Sequence, residues 1–522
     1  KQAREGNVGR AARTLDNQSS KFAGGQDKFM AVVKALHPAE ALLAEETLAA
    51  LRLLTPVTPM IFTVDEVRKA NHHLCSGAAT GPTAWSDELI RILLEDDVLA
   101  PSVCHLLADI ASNNIDDSVR TRLTAARFIA LPKGGDKLRP IAIGDSWLKL
   151  AATCQISKLA PETKKKFSGL QYGVGERGGG EFIIHRTRAK FEAEANATIL
   201  TLDCCNAFNT VHRTAVAAAL LANPQFAPLA PMFLLEYGHY SALYGDSFVL
   251  SSKSGVRQGS VLGPLWFALA VHDTVKHIAG RYPSVATYAY LDDLTLVGDP
   301  GAVLHMACEI EQRFGHLGLQ INRSKSEWLS RSGAPAPDGF ASPAAIKVLG
   351  GYIGPDDACT KALLGLTTRH ENFFRRIDVV ETDAAGAILG ASGIPRAAYV
   401  ARVHRPAVSL PYLVQFDGSV VATWTALADI ASPSDRTKAL AHLPTALGGC
   451  GFTSHVRTCK DAYEASYEAA MKISLVEQRS RSLATNLAVQ KGLCADPTIA
   501  AHIRETSKKG TATWMTNAAA NK

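Results

Sequence analysis

The feature that most constrains this chain is a pair of acids inside an otherwise apolar stretch. Asp292-Asp293 is preceded by Tyr288-Ala289-Tyr290-Leu291 and followed by Leu294-Thr295-Leu296-Val297. β-Branched, aromatic and aliphatic side chains on either side predict two strands joined at the acids. Adjacent carboxylates there repel each other and want a cation, unless the turn simply faces solvent. The dipeptide alone says little, because Asp-Asp also begins at positions 96, 116 and 356, where polar or turn-forming surroundings read as solvated turns or caps. A second acid in a comparable setting sharpens the argument: Asp203 ends the run Thr198-Ile199-Leu200-Thr201-Leu202. A strand-ending acid beside an acid-bearing hairpin can build a two-metal site, which needs rigid carboxylates holding ions about 3.5–4 Å apart.

The rest of the sequence bounds the architecture. At 522 residues, 47% hydrophobic and 20% charged, the chain can bury sizeable cores. Its longest apolar stretch, Ala215 to Leu235, is broken by Asn223, Pro224, Gln225, Pro228 and Pro231, so no membrane span is expected. The ten cysteines lack metal-ligand spacing, so free thiols in a reduced compartment are expected and structural zinc is not. His455, Cys459 and Cys494 are too sparse for a zinc module, and Gly173-Val174-Gly175-Glu176-Arg177-Gly178 follows no buried strand and so fails as a dinucleotide site. The chain begins at Lys1 without a signal sequence, which reads as a fragment or processed piece. Net charge is only +6, but residues 120–190 hold fifteen Lys/Arg against five Asp/Glu. That segment, with Lys164, Lys165, Lys166, Arg186 and Arg188, fits a polyanion-binding patch or else a solvated face.

Periodicity predicts helices over 26–56 and 86–115, then a change of texture. Phe128 to Pro132 and Leu138 to Ile143 flank Lys133-Gly134-Gly135-Asp136-Lys137, a hairpin pattern. Residues 181–196 and 302–315 read as helical, Ser332 to Ala345 as a loop, and the chain beyond Asp357 as helical with a break at Gly448-Gly449-Cys450-Gly451.

Taken in order, these blocks resemble the palm motifs of reverse transcriptases, most closely those of non-LTR (LINE-type) retrotransposons. Lys133 with Leu138-Arg139-Pro140-Ile141 resembles the fingers hairpin, and Gln171 and Gly173 with Gly179-Gly180-Glu181 the next fingers block. Asp203 to Asn209 resembles motif A, Arg257 to Pro264 motif B, and Tyr290-Leu291-Asp292-Asp293 motif C. Gly318 to Asn322 with Lys325-Ser326-Glu327 resembles motif D, and Val348 to Gly354 the primer grip. Thr80-Gly81-Pro82 with Trp85, and Leu443-Pro444 with Leu447-Gly448-Gly449, resemble the flanking regions more loosely. Leu291, Val261 and Asn209 stand where such elements often carry Ala, Pro and Asp.

The resemblance implies an α/β (α+β) right-hand polymerase with fingers, an antiparallel-sheet palm and a helical thumb. Its expected parts are a helical N-terminal extension over 1–119, fingers and palm over 120–356, and a helical thumb and C-terminal region over 357–522. It implies an RNA-directed DNA polymerase acting on an RNA template, a DNA primer and dNTPs, with two Mg²⁺ ions, Mn²⁺ being the alternative. Asp203, Asp292 and Asp293 would be the metal-binding acids, Lys325 the general acid, and Lys133 and Arg139 the triphosphate ligands. Gln258 and Gly259 would shape the nucleotide pocket, and Leu349, Gly350 and Gly351 would grip the primer. Phe208, by itself an ordinary core aromatic, would exclude a 2′-hydroxyl. The weighed alternatives are a catalytically dead RNA-binding scaffold and a group II intron maturase. An intracellular place, at the nuclear integration site or in a cytoplasmic ribonucleoprotein, is expected.

Overall fold

The computed structural model of the protein describes residues 7–16, 22, 24–40, 42–54, 60–74, 77–443 and 449–471. Pro444, Leu447, Gly448 and Cys494 lie outside the described residues, as does the expected helical region beyond Met471. The chain falls into two compact units that interleave along the sequence. Ser19–Gly179 with Lys190–Ser342 make the first; Lys1–Gln18, Gly180–Ala189 and Pro343–Lys522 make the second.

Ten strands run in chain order: β1 (Ala126–Gly134), β2 (Lys137–Ile143), β3 (Thr198–Leu202), β4 (Ser241–Tyr244), β5 (Val249–Ser252), β6 (Ala286–Tyr290), β7 (Asp293–Gly298), β8 (Glu327–Ser330), β9 (Ile346–Val348) and β10 (Gly351–Ile353). The sheet that matters for function has the order β6-β7-β3-β8, antiparallel throughout. β3 is interior to this sheet, and the helix Pro300–His316 packs on β3 and β7, placing Leu200 and Leu202 in one core with Val303, Met306 and Ile310. That helix starts sharply because the Asp299 carboxylate accepts the backbone N–H groups of Gly301 and Ala302, with Pro300 in the first turn. Register pairs Leu202 with Leu294 and Tyr290 with Asp293. Asp203 therefore leaves β3 at the end of the sheet where the Leu291-Asp292 turn lies.

A second sheet, β2-β1-β4-β5, carries the expected fingers hairpin, and only its β1–β4 pairing is parallel. The helices from Gln26–Ala35 to Asp117–Leu123 join the same unit. Trp85 meets Trp147 edge to face at 5.2 Å between centroids, and Arg127 donates to the carbonyl of Thr80 at 3.3 Å.

The second unit is mainly helical and includes Asp356–Leu364, Thr367–Ile377, Pro406–Leu427 and His455–Met471. Its core is built on Phe373, Phe374, Tyr412 and Phe416, and Ala12 from the short helix Val8–Asp16 is buried in it. The mixed architecture with an antiparallel palm sheet is the one expected. No helix among the described residues is long and apolar enough to cross a membrane, and the described cysteines are free thiols.

Candidate active site

Three carboxylates and three cations gather at one end of the β6-β7-β3-β8 sheet. Asp203 is anchored through its backbone: its N–H donates to the Ser326 hydroxyl at 3.1 Å, and its carbonyl accepts from Asn322 at 2.7 Å. Its Oδ2 is buried and accepts no hydrogen bond, with the Lys325 ammonium 3.7 Å away. Burial, then repulsion from Asp292 and Asp203, pushes the Asp293 carboxyl up to about 6. Burial and Asp203 raise Asp292 as well, against the opposing pull of Lys133 and Arg139. On the cation side, partial desolvation and the like charges of Arg139 and Lys325 lower Lys133, while Asp203 and Asp292 raise it. Residues drawn from four separate stretches of sequence thus share one electrostatic neighbourhood.

The acids repel each other, and the buried Asp203 Oδ2 accepts no hydrogen bond although the Lys325 ammonium lies 3.7 Å away; this suits a hard divalent cation. Among the described residues no three His, Cys, Asp or Glu side chains stand close enough to cage a metal by themselves. Mg²⁺ usually takes one or two carboxylates and completes its shell with water and substrate phosphates.

The residues expected to shape the nucleotide pocket fall in two pieces that are tied together. Phe208 sits in a short helix after Asp203 and stacks on Phe267, with centroids 5.0 Å apart and an angle of 10°. The carbonyl of Phe208 accepts from Val256 at 2.7 Å, which ties this turn to the following loop. In that loop Gln258 is partly exposed and its carbonyl accepts from Ala142 at 2.7 Å. Gly259 has φ +114°, and a Cβ there would collide with the Ala142 carbonyl, so glycine is required both by backbone conformation and by this close approach.

The residue that organises this loop was not foreseen. Glu236, 2% exposed, accepts from the Ser260 hydroxyl at 2.9 Å, the Trp266 indole at 2.9 Å and Arg257 at 3.4 Å. Arg257 also donates to the carbonyl of Thr124 at 2.5 Å. A lone acid inside Met232-Phe233-Leu234-Leu235-Glu236-Tyr237 was the available signal, because a buried carboxylate must find donors.

In the other unit, Leu349 and Gly350 form the two-residue turn between β9 and β10, both at positive φ, as such hairpins favour. The Tyr399 hydroxyl donates to the Leu349 carbonyl at 3.0 Å, and a Cβ on Gly351 would press on Ile184 at 2.9 Å. The basic segment is less of a surface than expected. Arg188 is buried, donating to the carbonyls of Tyr352 and Val403, and Arg186 donates to those of Ala470 and Met471. Lys166 binds Asp273 and Asn223. Packing has recruited these cations because carbonyls inside a fold need donors.

Residues 131–353 match the family model for Reverse transcriptase (RNA-dependent DNA polymerase). They are a reverse transcriptase domain. The chain is also similar to the retrotransposable element SLACS 132 kDa protein of Trypanosoma brucei gambiense, at 28% identity over 437 residues. That match covers 80% of this chain and 36% of the relative, so the chain spans about a third of the curated protein's length. The reverse transcriptase domain contains the acids, the fingers hairpin from Leu131, the loop around Gln258 and the β9–β10 turn. Both matches support the resemblance to a retrotransposon reverse transcriptase drawn from the motifs.

Proposed function

We propose that this protein is the RNA-directed DNA polymerase of a non-LTR retrotransposon, extending a primer 3′-hydroxyl on an RNA template with dNTPs. The observation that carries the reading is the convergence of Asp203, Asp292 and Asp293 with Lys133, Arg139 and Lys325 inside the reverse transcriptase domain. Asp203 and Asp292 would hold two Mg²⁺ ions, with Asp293 adding charge to the cluster; Mn²⁺ has similar ligand preferences. Bound there, the metal would supply electrostatic stabilisation of charge on phosphate and hydroxyl oxygens.

The chain's own groups do the rest. Lys133 and Arg139 neutralise the triphosphate, and Arg139 is suited to hold two phosphate oxygens at once. The primer 3′-hydroxyl gives its proton to solvent water, its oxygen forms a bond to the α-phosphorus as the bond to the bridging oxygen breaks, and Lys325 protonates the departing pyrophosphate. Phe208 lies flat beneath the sugar, Gln258 and Gly259 shape the pocket, and Leu349, Gly350 and Gly351 hold the primer end. Positioning and electrostatics supply the catalysis. Action at a nuclear integration site or from a cytoplasmic ribonucleoprotein follows from this role.

The test is primer extension on a defined RNA template with Mg²⁺, with Asp292→Ala as control. Extension by dNTPs that disappears in the variant, with template–primer binding retained, is the expected result. Extension that survives Asp292→Ala would sink the site assignment. A dead scaffold is not favoured, since Asp203, Asp292, Asp293 and Lys325 are all present and gathered.

A further inference from the structure

The turn that carries Asp292 is held in an unfavourable backbone conformation. Leu291, the first of the two loop residues between β6 and β7, has φ +57°. Two-residue hairpins that need positive φ at this first position usually place glycine there, and a branched, bulky residue pays roughly 1–2 kcal/mol to adopt it. Something outside the hairpin must therefore over-determine the turn.

The contact comes from residue 171, 120 positions earlier. The Gln171 side chain is 1% exposed, and its Oε1 accepts from the Leu291 N–H at 2.8 Å and from the Gly173 N–H at 2.9 Å. Its Nε2 donates to the Leu291 carbonyl at a longer 3.5 Å. One amide thus satisfies both backbone groups of the strained residue. The backbone around it is docked to the edge of the palm sheet: Ala289 donates to Leu170 and Tyr172 donates to Ala289, each at 2.8 Å. Gly173 completes the seat, since a Cβ there would meet Leu291 Cγ and N at 2.9 Å.

We infer that Gln171 is a positioning residue of the catalytic hairpin: its amide locks Leu291 in the left-handed conformation and so fixes where Asp292 presents its carboxylate. Gln171 acts through Leu291 and touches no substrate. The inference rests on the polymerase reading above. Its logic is geometric, because a carboxylate misplaced by about 1 Å costs on the order of 100-fold in rate even when substrate binding is intact.

The experiment uses the full chain in steady-state primer extension, with Gln171→Met, Leu291→Gly, the double variant and Asp292→Ala measured side by side. Gln171→Met removes the hydrogen bonds at similar volume. The expected result is a kcat lower by on the order of 100-fold with little change in KM for dNTP, a higher Mg²⁺ requirement, and unchanged template–primer affinity. Leu291→Gly removes the strain that the clamp opposes, so the double variant should recover at least about tenfold of kcat over Gln171→Met alone. Should Gln171→Met fail to fold, Gly173→Ala presses on the same Leu291 with Gln171 intact and should show the same split between kcat and KM. Wild-type kcat in Gln171→Met, or no recovery in the double variant, overturns the inference while an inactive Asp292→Ala leaves the polymerase reading standing. An active Asp292→Ala overturns that reading instead.

Discussion

At the scale of single residues, the site is a case of charge looking for a partner. Asp293 titrates near 6 because it is buried beside two other acids, so the folded state holds its proton more tightly than the unfolded chain does. The sign is then set: between an unfolded value near 4 and about 6, stability falls as pH rises. Metal-free protein should melt at a higher temperature at pH 5 than at pH 7 on this account, and Mg²⁺ should narrow the difference; equal shifts with and without Mg²⁺ would refute it. Asp293→Asn removes the repulsion, so it should raise the metal-free melting temperature at pH 7 while weakening extension. Phe208→Val should admit ribonucleotides, read as the ratio of kcat/KM for dNTP and rNTP, and an unchanged ratio would remove the gate role. Asp203, Asp292 and Asp293 were legible because two-metal chemistry calls for acids at strand ends, whereas Lys325 was legible only through the resemblance. Glu236 was not read although a lone acid in an apolar run was there to see, and the Gln171 contact with Leu291 was not, since a hydrogen bond across 120 residues leaves no local pattern.

Elements carry the next layer. The hairpins and palm strands were legible because β-branched and aromatic runs flank turn residues, and the register follows from which face is buried. What sequence pattern did not show is how the loop around Gln258 is supported. Glu236 and Arg257 are both almost fully buried and satisfy one another within a wider network. Removing one member strands the other: Glu236→Ala should cost about 3–5 kcal/mol, measured by denaturant unfolding. Glu236→Gln should cost less, because it keeps an acceptor for Ser260 or Trp266. If both variants unfold at the wild-type midpoint, the network is not what supports the loop.

Over the whole molecule, proximity in sequence and membership of a compact unit part company. The short helix Val8–Asp16 buries Ala12 in the core built on Phe373, Tyr412 and Phe416, and Arg376 donates to the carbonyl of Leu15. Ala12→Asp should therefore destabilise that core by on the order of 2–3 kcal/mol, seen as faster proteolysis within 356–471, although the residues are far apart in the chain. By itself the sequence determined the strand-ending acids, the acid hairpin, the order of the motifs and the helical character of the described residues before 120 and after 356. These are dictated locally, by side-chain periodicity, turn chemistry and the residue types that phosphate and metal chemistry require. Only the tertiary structure decided which unit the first helix joins, which cations of the basic segment are consumed inside the fold, and which amide holds Leu291. Those outcomes depend on unpaired backbone groups finding donors and acceptors across long loops, and burial sets that pairing only once the chain has closed on itself.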